Sequence, residues 1–159
     1  MGTPGELETR GKIRRARLGD VSAIVDLEKQ APELAHWSEQ AYRAAVDSAY
    51  PERIVLVGEA DGALECFLVA RFAAGECELE SLLVVPGSRR RGMATRLLDS
   101  LMETAREKGA RKILLEVRES NVIARSFYRK LGFSQTGLRK TYYRNPGEDA
   151  ITYSIDLLK

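Results

Sequence analysis

The sequence predicts an α+β fold in which a mixed, mostly antiparallel sheet of seven strands is flanked by about four helices. Segments whose apolar residues alternate, as in strands, are interspersed with segments whose apolar residues recur every three or four positions, as in helices. One strand–helix–strand unit also has the spacing of a parallel crossover. At 159 residues the chain fits a single domain, predicted over residues 12–159, and the aperiodic residues 1–11 are predicted to be a disordered tail.

The first third of the chain predicts an edge strand and two helices. Lys12–Ala16 reads as the short edge strand. Asp20–Lys29 and Ser38–Ser48 read as the helices, and each begins with a residue suited to the N-cap. Trp37 precedes the second helix in the position of a hydrophobic staple.

Three strands with short links follow. They are Arg53–Glu59, Leu64–Phe72 and Glu76–Val85. Asp61-Gly62, between the first two, is a strong signal for a tight hairpin turn. The spacing therefore predicts an antiparallel meander.

The second half of the chain contains the clearest helix, Met93–Ala105, whose apolar residues form one continuous stripe. The strand Ile113–Val117 follows it, and this crossover makes the strand a predicted parallel neighbour of Glu76–Val85. A further helix begins at Asn121. The last two strands are Phe133–Leu138 and Ile151–Leu157, and the link Tyr142–Asp149 joins them.

Composition and charge argue against several classes of protein. The chain has 25 basic and 23 acidic residues, a net charge of +2, whereas nucleic-acid-binding domains usually carry a large basic excess. The longest apolar run, Cys66–Ala70, is far shorter than the roughly 20 residues of a membrane span. We therefore expect no nucleic-acid or membrane partner and a cytoplasmic location.

The two cysteines and the single histidine are too few for a structural zinc site, which takes four ligands. Cys66 and Cys77 fall in one predicted hairpin, whose register places Cys66 opposite Leu82 and far from Cys77. We expect two half-buried free thiols, as in a reducing compartment, and no metal.

A basic loop, Arg89–Ala94, lies between a predicted strand end and a predicted helix start. Unpaired N–H groups and the positive end of the helix dipole meet there, and small residues at Gly92 and Ala94 admit a ligand to the main chain. A pyrophosphate fits this place, although a solvated basic loop would have the same composition. The chain has neither G-x-x-x-x-G-K-S/T nor G-x-G-x-x-G after a strand, which argues against a nucleoside triphosphatase or a dinucleotide dehydrogenase.

Arg89–Ala94 also matches the Q/R-x-x-G-x-G/A signature of the GNAT acetyltransferases, which bind acetyl-CoA. Over about Ile13–Leu157 the chain resembles that family. Within the family it is similar to the protein N-terminal acetyltransferases of the RimI type, which acetylate the N-terminal alanine of ribosomal proteins. The further matching blocks are Trp37-Ser38-Glu39, Leu115–Asn121 (LEVRESN), Phe127–Phe133 (FYRKLGF), Tyr142-Tyr143 and Gly147–Ala150 (GEDA).

The resemblance implies a sheet that splays between its fourth and fifth strands, with acetyl-CoA bound in the gap as cosubstrate. It implies main-chain contacts from Leu82, Leu83 and Val84 to the acetyl and pantetheine part, and a contact from Asn121 to the pantetheine arm. The residues that it implies for the pyrophosphate are Arg90, Arg91, Gly92, Met93, Ala94 and Thr95.

Acetylation requires an amine that has lost its proton, and an α-amine with a pKa near ~8 needs only a modest base. Glu116 is a candidate base because a carboxylate inside the apolar strand Ile113–Val117 is costly without a role or a partner. An ion pair with Arg118 or Arg111 would also explain a carboxylate at this position. The resemblance implies that Glu116 is the base. Glu80, on the adjacent strand, is the competing base or part of a solvated strand face.

Tyr128 lies at the edge of a helical apolar stripe, where it is either a core-edge aromatic residue or an acid that reaches the gap. The resemblance implies that it protonates the CoA thiolate. Tyr142 and Tyr143 read as an exposed aromatic pair. The resemblance implies that, with Trp37, they form the wall of the acceptor site.

These features predict an enzyme that transfers an acetyl group from acetyl-CoA to the N-terminal α-amine of a protein, with an alanine-initiated ribosomal protein as the expected acceptor. Since neither cysteine lies in a motif, direct attack by the amine is simpler than a covalent intermediate. The alternatives are a GNAT enzyme that acetylates a small amine and a non-catalytic CoA-binding module.

Overall fold

The computed structural model describes residues 11–31, 37–47, 52–86, 92–144 and 147–157. Of the predicted tail, only Gly11 lies in these ranges. It is buried, and its carbonyl accepts a hydrogen bond from Arg96 Nη2 at 2.9 Å. The predicted pyrophosphate ligands Arg90 and Arg91 lie outside the described residues.

The strands form one mixed sheet of seven in the order β1-β2-β3-β4-β5-β7-β6. Neighbouring strands are antiparallel except β4 and β5, which are parallel as predicted. The strands are β1 Lys12–Arg15, β2 Glu52–Ala60, β3 Ala63–Ala73, β4 Glu76–Val84, β5 Lys112–Arg118, β6 Ser134–Tyr143 and β7 Glu148–Asp156.

Helices cover both faces of the sheet and create two hydrophobic cores. On one face, Ile24 and Tyr42 pack against residues of β2 and β3. On the other, Leu97 and Tyr128 pack against the opposite side of the same sheet. The helices are α1 Val21–Glu28 and α2 Glu39–Val46 on the first face, and α3 Met93–Glu107 and α4 Val122–Lys130 on the second. The predicted fold class is confirmed.

The start of α2 is as predicted. Ser38 is the N-cap, and its Oγ accepts a hydrogen bond from Ala41 N at 3.0 Å. The ring of Trp37 stacks on that of Tyr42 with centroids 5.3 Å apart, which is the contact of a hydrophobic staple.

The prediction for the start of α1 is wrong in one respect. The Asp20 side chain makes no capping hydrogen bond to α1. Its carboxylate accepts a hydrogen bond from Arg17 N at 2.7 Å and pairs with Arg14 at 2.7 Å. The carboxylate thus serves a short 3-10 turn, Leu18–Asp20, that precedes the helix.

β3 and β4 form the predicted hairpin, which turns at Ala74-Gly75, but its register differs from the expected one. Cys66 lies opposite Val84 rather than Leu82. A β-bulge leaves Glu80 as an extra residue in β4, and such an insertion cannot be read from alternation alone.

The two thiols are free, as predicted, and both are fully rather than half buried. Their side chains lie in the core under α3 and α4. Burial raises the pKa of Cys66 to about 11 and that of Cys77 to about 12. Both are therefore protonated at neutral pH.

The sheet splays between β4 and β5. These strands pair only at Cys77 with Ile113 and at Glu78 with Leu114. Beyond that point β5 continues to pair with β7 as far as Arg118. A gap therefore opens between the carboxyl-terminal halves of β4 and β5, where the resemblance places it.

Tyr142 and Tyr143 were predicted to lie in a link, but they are the last residues of β6, which is longer than expected. The β6–β7 ladder shifts between Arg139 and Tyr143. This irregularity breaks the alternation of apolar residues, so the sequence pattern of the strand ends early.

Candidate active site

The amino end of α3 offers an open, electropositive position for an anion. Gly92, its N-cap, has φ +75°, and a Cβ atom built there would meet no atom of the other described residues within 4 Å. Helix geometry leaves the first N–H groups without intrahelical partners. The main chain at Gly92, Ala94 and Thr95 is thus available to a pyrophosphate, and the open Gly92 position fits such a group.

Met93 plays a different part from its neighbours. Its side chain is only 1% exposed and belongs to the core, so only its main chain can serve a ligand. At Gly58, on β2, an added Cβ would lie 2.6 Å from Met93 Cε and 2.3 Å from Cys66 Sγ. The missing side chain at Gly58 leaves the room in which Met93 anchors α3 to the sheet.

The β4 side of the gap is formed by Leu82, Leu83 and Val84. The side chain of Leu83 lies in the core under α1 and α2, whereas Leu82 and Val84 pack on the opposite core. β4 pairs with β3 along one edge. Since N–H and C=O groups alternate between the two edges of a strand, part of this backbone faces the gap and can donate to an acyl oxygen.

Glu80 and Glu116 lie on the two strands that border the gap, β4 and β5. Both come after the last β4–β5 pair, Glu78 with Leu114, and the bulge at Glu80 interrupts the regular alternation of β4. Carboxylates on the strands of a gap are the candidates for taking a proton from an amine.

The partners of the two carboxylates differ. Arg53 binds Glu80 through both oxygens, at 2.8 and 3.3 Å. Glu116 Oε1 accepts a hydrogen bond from Arg139 Nη1 at 2.7 Å, so the predicted partners Arg118 and Arg111 are wrong. Glu116 Oε2 is buried and has no hydrogen-bond partner among the described residues. An unused buried acceptor oxygen is what a general base needs.

Tyr128, on α4, is 6% exposed and packs edge-on against the rings of Phe127 and Phe133, at 5.2 and 5.4 Å between centroids. Burial raises its pKa above the usual range, and the neighbouring Tyr143 adds to this shift. The phenol therefore keeps its proton at neutral pH. It can serve as a proton donor but not as a base.

Tyr142 and Tyr143 lie beside Glu116. The charge of Glu116 is the main cause that raises the pKa of Tyr142. Burial, followed by Glu116, raises the pKa of Tyr143 to about 12. The guanidinium of Arg139 lies 4.9 Å from the ring centre of Tyr142, and that of Arg118 lies 4.3 Å from the ring centre of Tyr143.

Trp37 belongs to the β4 side of the gap. Its ring lies 5.4 Å from the guanidinium of Arg53, which binds Glu80. The backbone N–H of Trp37 donates to Glu28 Oε2 at 3.1 Å, and the hydroxyl of Tyr42 donates to the same oxygen. The three predicted acceptor-site aromatics are thus divided, with Trp37 near Glu80 and the tyrosine pair near Glu116.

Sequence reasoning did not single out Glu28 or Arg53, and it named Arg139 only as a charge near the acceptor site, not as the partner of Glu116. Glu28 carries a usable signal, because it follows Val21 and Ile24 on the buried stripe of α1 and is 2% exposed. The two arginines have no such signal, since their partners are set by strand register.

Asn121 is the N-cap of α4. Its Oδ1 accepts a hydrogen bond from Ala124 N at 3.1 Å. The residue is exposed, and its cap fixes the helix that carries Tyr128. Its predicted contact with the pantetheine arm stays a prediction.

Within the described ranges, no cluster of His, Cys, Asp and Glu side chains could hold a metal ion. None of the helices in those ranges has the length and apolar character to cross a membrane.

Comparison with known proteins agrees with the fold. Residues 21–133 match the model of the acetyltransferase (GNAT) family. The ribosomal protein bS18-alanine N-acetyltransferase of Salmonella typhimurium is 29% identical over 140 residues, 87% of this chain and 92% of that protein. The enzyme of the same name from Haemophilus ducreyi is 31% identical over 141 residues, 87% of this chain and 94% of that protein.

Among solved structures, the ribosomal-protein-S18-alanine N-acetyltransferase of Escherichia coli has a TM-score of 0.82 at 26% identity and covers 94% of this chain and 95% of its own. The splayed sheet, the family model and these relatives together identify an acyltransferase that uses a CoA thioester. The chain belongs to the GNAT acetyltransferase family. It is an acetyl-CoA-dependent N-acetyltransferase similar to the RimI-type enzymes.

Proposed function

We propose that this enzyme acetylates the N-terminal α-amine of a protein, with a ribosomal protein that begins with alanine as the acceptor in the cytoplasm. The observation that carries the proposal is the buried, unpaired Glu116 Oε2 beside the gap and the tyrosine pair. The names of the Salmonella and Haemophilus relatives supply the acceptor class.

Acetyl-CoA supplies the thioester when it is bound. The amino end of α3 holds its pyrophosphate, and the main chain of Leu82, Leu83 and Val84 lines the acyl end. N–H groups on the gap edge of β4 stabilise the negative charge that develops on the acyl oxygen.

Glu116 takes the proton from the acceptor amine through Oε2, the oxygen that Arg139 does not use. Tyr128 gives its proton to the departing thiolate. The phenol stays protonated over the whole pH range in which an α-amine is reactive, so it has a proton to give.

The peptide enters between Trp37 on one side and Tyr142 and Tyr143 on the other. Bulky aromatic side chains at this entrance leave little volume. Only a small first residue fits there, which favours alanine. The aromatic pair offers a surface for a peptide backbone, and the positive charges of Arg118 and Arg139 on its rings disfavour a polycationic amine.

The test is transfer of radiolabelled acetyl groups from acetyl-CoA to a panel of Ala-initiated peptides, the same peptides with a blocked N-terminus, and small amines. Transfer should require the free α-amine and should fall when alanine is replaced by leucine. Robust transfer to polyamines without transfer to any peptide would favour the small-amine alternative. The absence of all transfer, with CoA bound, would favour a non-catalytic module.

A further inference from the structure

The end of β6 contains an irregularity that the mechanism does not yet explain. Arg139 pairs with Ala150 and Tyr143 pairs with Glu148, so three residues of β6 face one residue of β7. Thr141, in the middle of this bulge, has φ +50°. That conformation is strained for a β-branched residue, and strain of this kind persists only where neighbouring contacts enforce it.

Asp149 supplies the contact. Its Oδ1 accepts a hydrogen bond from Thr141 N at 2.7 Å. Its own carbonyl accepts one from Glu119 N at 3.0 Å, so Asp149 is tied to the end of β5. A charge-assisted hydrogen bond of this length can hold a strained residue in place.

The neighbouring Glu148 fixes the same hairpin from the other side. It accepts a hydrogen bond from Ser120 N at 2.5 Å and pairs with Arg118 at 3.4 Å. The acidic pair of the GEDA block thus attaches the β6–β7 hairpin to the segment that follows β5.

The bulge determines where the two tyrosines lie. Their rings meet edge-on at 5.2 Å, and the charge of Glu116 acts on both. Because each residue of a regular strand points opposite to the next, an uninterrupted β6 would place only one of the two beside Glu116.

We propose that Asp149 is a positioning residue for the acceptor site: it holds Thr141 at positive φ and thereby places Tyr142 and Tyr143 beside Glu116. The inference rests on the proposed function, in which these tyrosines bind the acceptor peptide. It assigns a physical role to Asp149, the second acidic residue of the GEDA block.

The first experiment compares steady-state kinetics of three variants. Asp149→Ala should raise the KM for an Ala-initiated peptide about tenfold, the loss expected for one charge-assisted hydrogen bond, and leave the KM for acetyl-CoA within about twofold. Asp149→Asn keeps an acceptor oxygen and should stay within about threefold of the wild type for both substrates. Asp156→Ala, which removes an exposed carboxylate at the other end of β7, is the matched control and should change neither value.

A double variant separates positioning from a general structural role. Glycine adopts positive φ without strain. Adding Thr141→Gly to Asp149→Ala should therefore reverse most of the rise in the peptide KM. An unchanged peptide KM in Asp149→Ala, an equal rise of both KM values, or no rescue by Thr141→Gly would each overturn the inference while leaving the proposed function intact.

A second readout needs no substrate. The ionisation of Tyr142 and Tyr143, followed by absorbance of the folded chain, reports their nearness to Glu116. Asp149→Ala should move their pKa values back towards that of a free tyrosine, and Asp149→Asn should not. Unchanged ionisation in Asp149→Ala would overturn the inference even if the peptide proved to be the wrong substrate.

Discussion

At the scale of single residues, the two carboxylates of the gap are distinguished by their hydrogen bonds. Both oxygens of Glu80 are bound by Arg53. Glu116 keeps one buried oxygen unused, because Arg139 reaches only Oε1. A base must accept a new proton, so the geometry favours Glu116.

Glu116→Gln should therefore lower kcat by about 10²–10³-fold and leave the dissociation constant for CoA nearly unchanged. Glu80→Gln is the matched variant on the facing strand and should have a much smaller effect on kcat. Rapid-quench or steady-state acetyl transfer to an Ala-initiated peptide measures both. A larger loss in Glu80→Gln would assign the base to β4.

Tyr128→Phe removes only the hydroxyl and should lower kcat by about 10²–10³-fold with unchanged CoA affinity, because the thiolate then leaves without a proton. Tyr153→Phe is the control, since Tyr153 is also fully buried and its hydroxyl bonds to Arg125 at 3.0 Å. It should cost stability more than kcat. Equal kcat in wild type and Tyr128→Phe would remove Tyr128 from the mechanism.

The raised pKa of Tyr143 makes the fold sensitive to alkali. An unfolded tyrosine ionises near about pH 10, whereas the pKa of Tyr143 in the folded chain is about 12. Between these values the unfolded state loses the proton first, so the free energy of unfolding falls as the pH rises. Urea unfolding between about pH 9 and 12 should show a shallower fall in Tyr143→Phe than in wild type. Equal slopes would contradict the assigned shift.

At the scale of elements, the start of α3 and the splayed edge of β4 together form the predicted cofactor site. α3 is fixed by Met93, which packs where Gly58 has no side chain. A substitution at the open helix start should affect the ligand rather than this packing.

Gly92→Val should weaken CoA binding at least about tenfold, because a side chain would then occupy the open position beside the N–H groups. Gly109→Val is an unusually close control. Gly109 lies just beyond the other end of α3 with φ +78°, against +75° for Gly92. At either position an added Cβ meets no atom of the part of the chain that the structure describes within 4 Å. Calorimetry on both variants at equal folded fraction should show a loss only for Gly92→Val. Equal losses would show that strain, not ligand approach, is responsible.

At the scale of the whole molecule, the sheet separates two cores, and the thiols lie in the core under α3 and α4. Cys66 and Cys77 are both 0% exposed. Because burial also raises their pKa values, neither provides a thiolate at neutral pH.

Modification of these thiols should therefore require a large opening of the fold. Ellman's reagent at about pH 8 should leave both unreacted in the native chain for many minutes and titrate both at once in urea. Ligand that stabilises the fold should slow the native reaction further. Rapid reaction of one thiol without denaturant would show that its core opens locally.

The sequence by itself determined the fold class, the order of the elements, the Ser38 cap with its Trp37 staple, and the parallel pair of β4 and β5. These features follow from apolar periodicity, capping chemistry and crossover spacing, which are local properties of the chain. The resemblance placed the splay correctly and selected Glu116 and Tyr128, whose roles remain predictions.

Only the tertiary structure decided that Glu116 pairs with Arg139, that Arg53 binds both oxygens of Glu80, and that the end of β6 bulges at Thr141. Each of these depends on the register of strands that are distant in sequence, and each register contains a shift that alternation does not encode. One inserted residue exchanges the faces of every residue that follows it. The ion pairs of this gap are therefore a property of the assembled sheet.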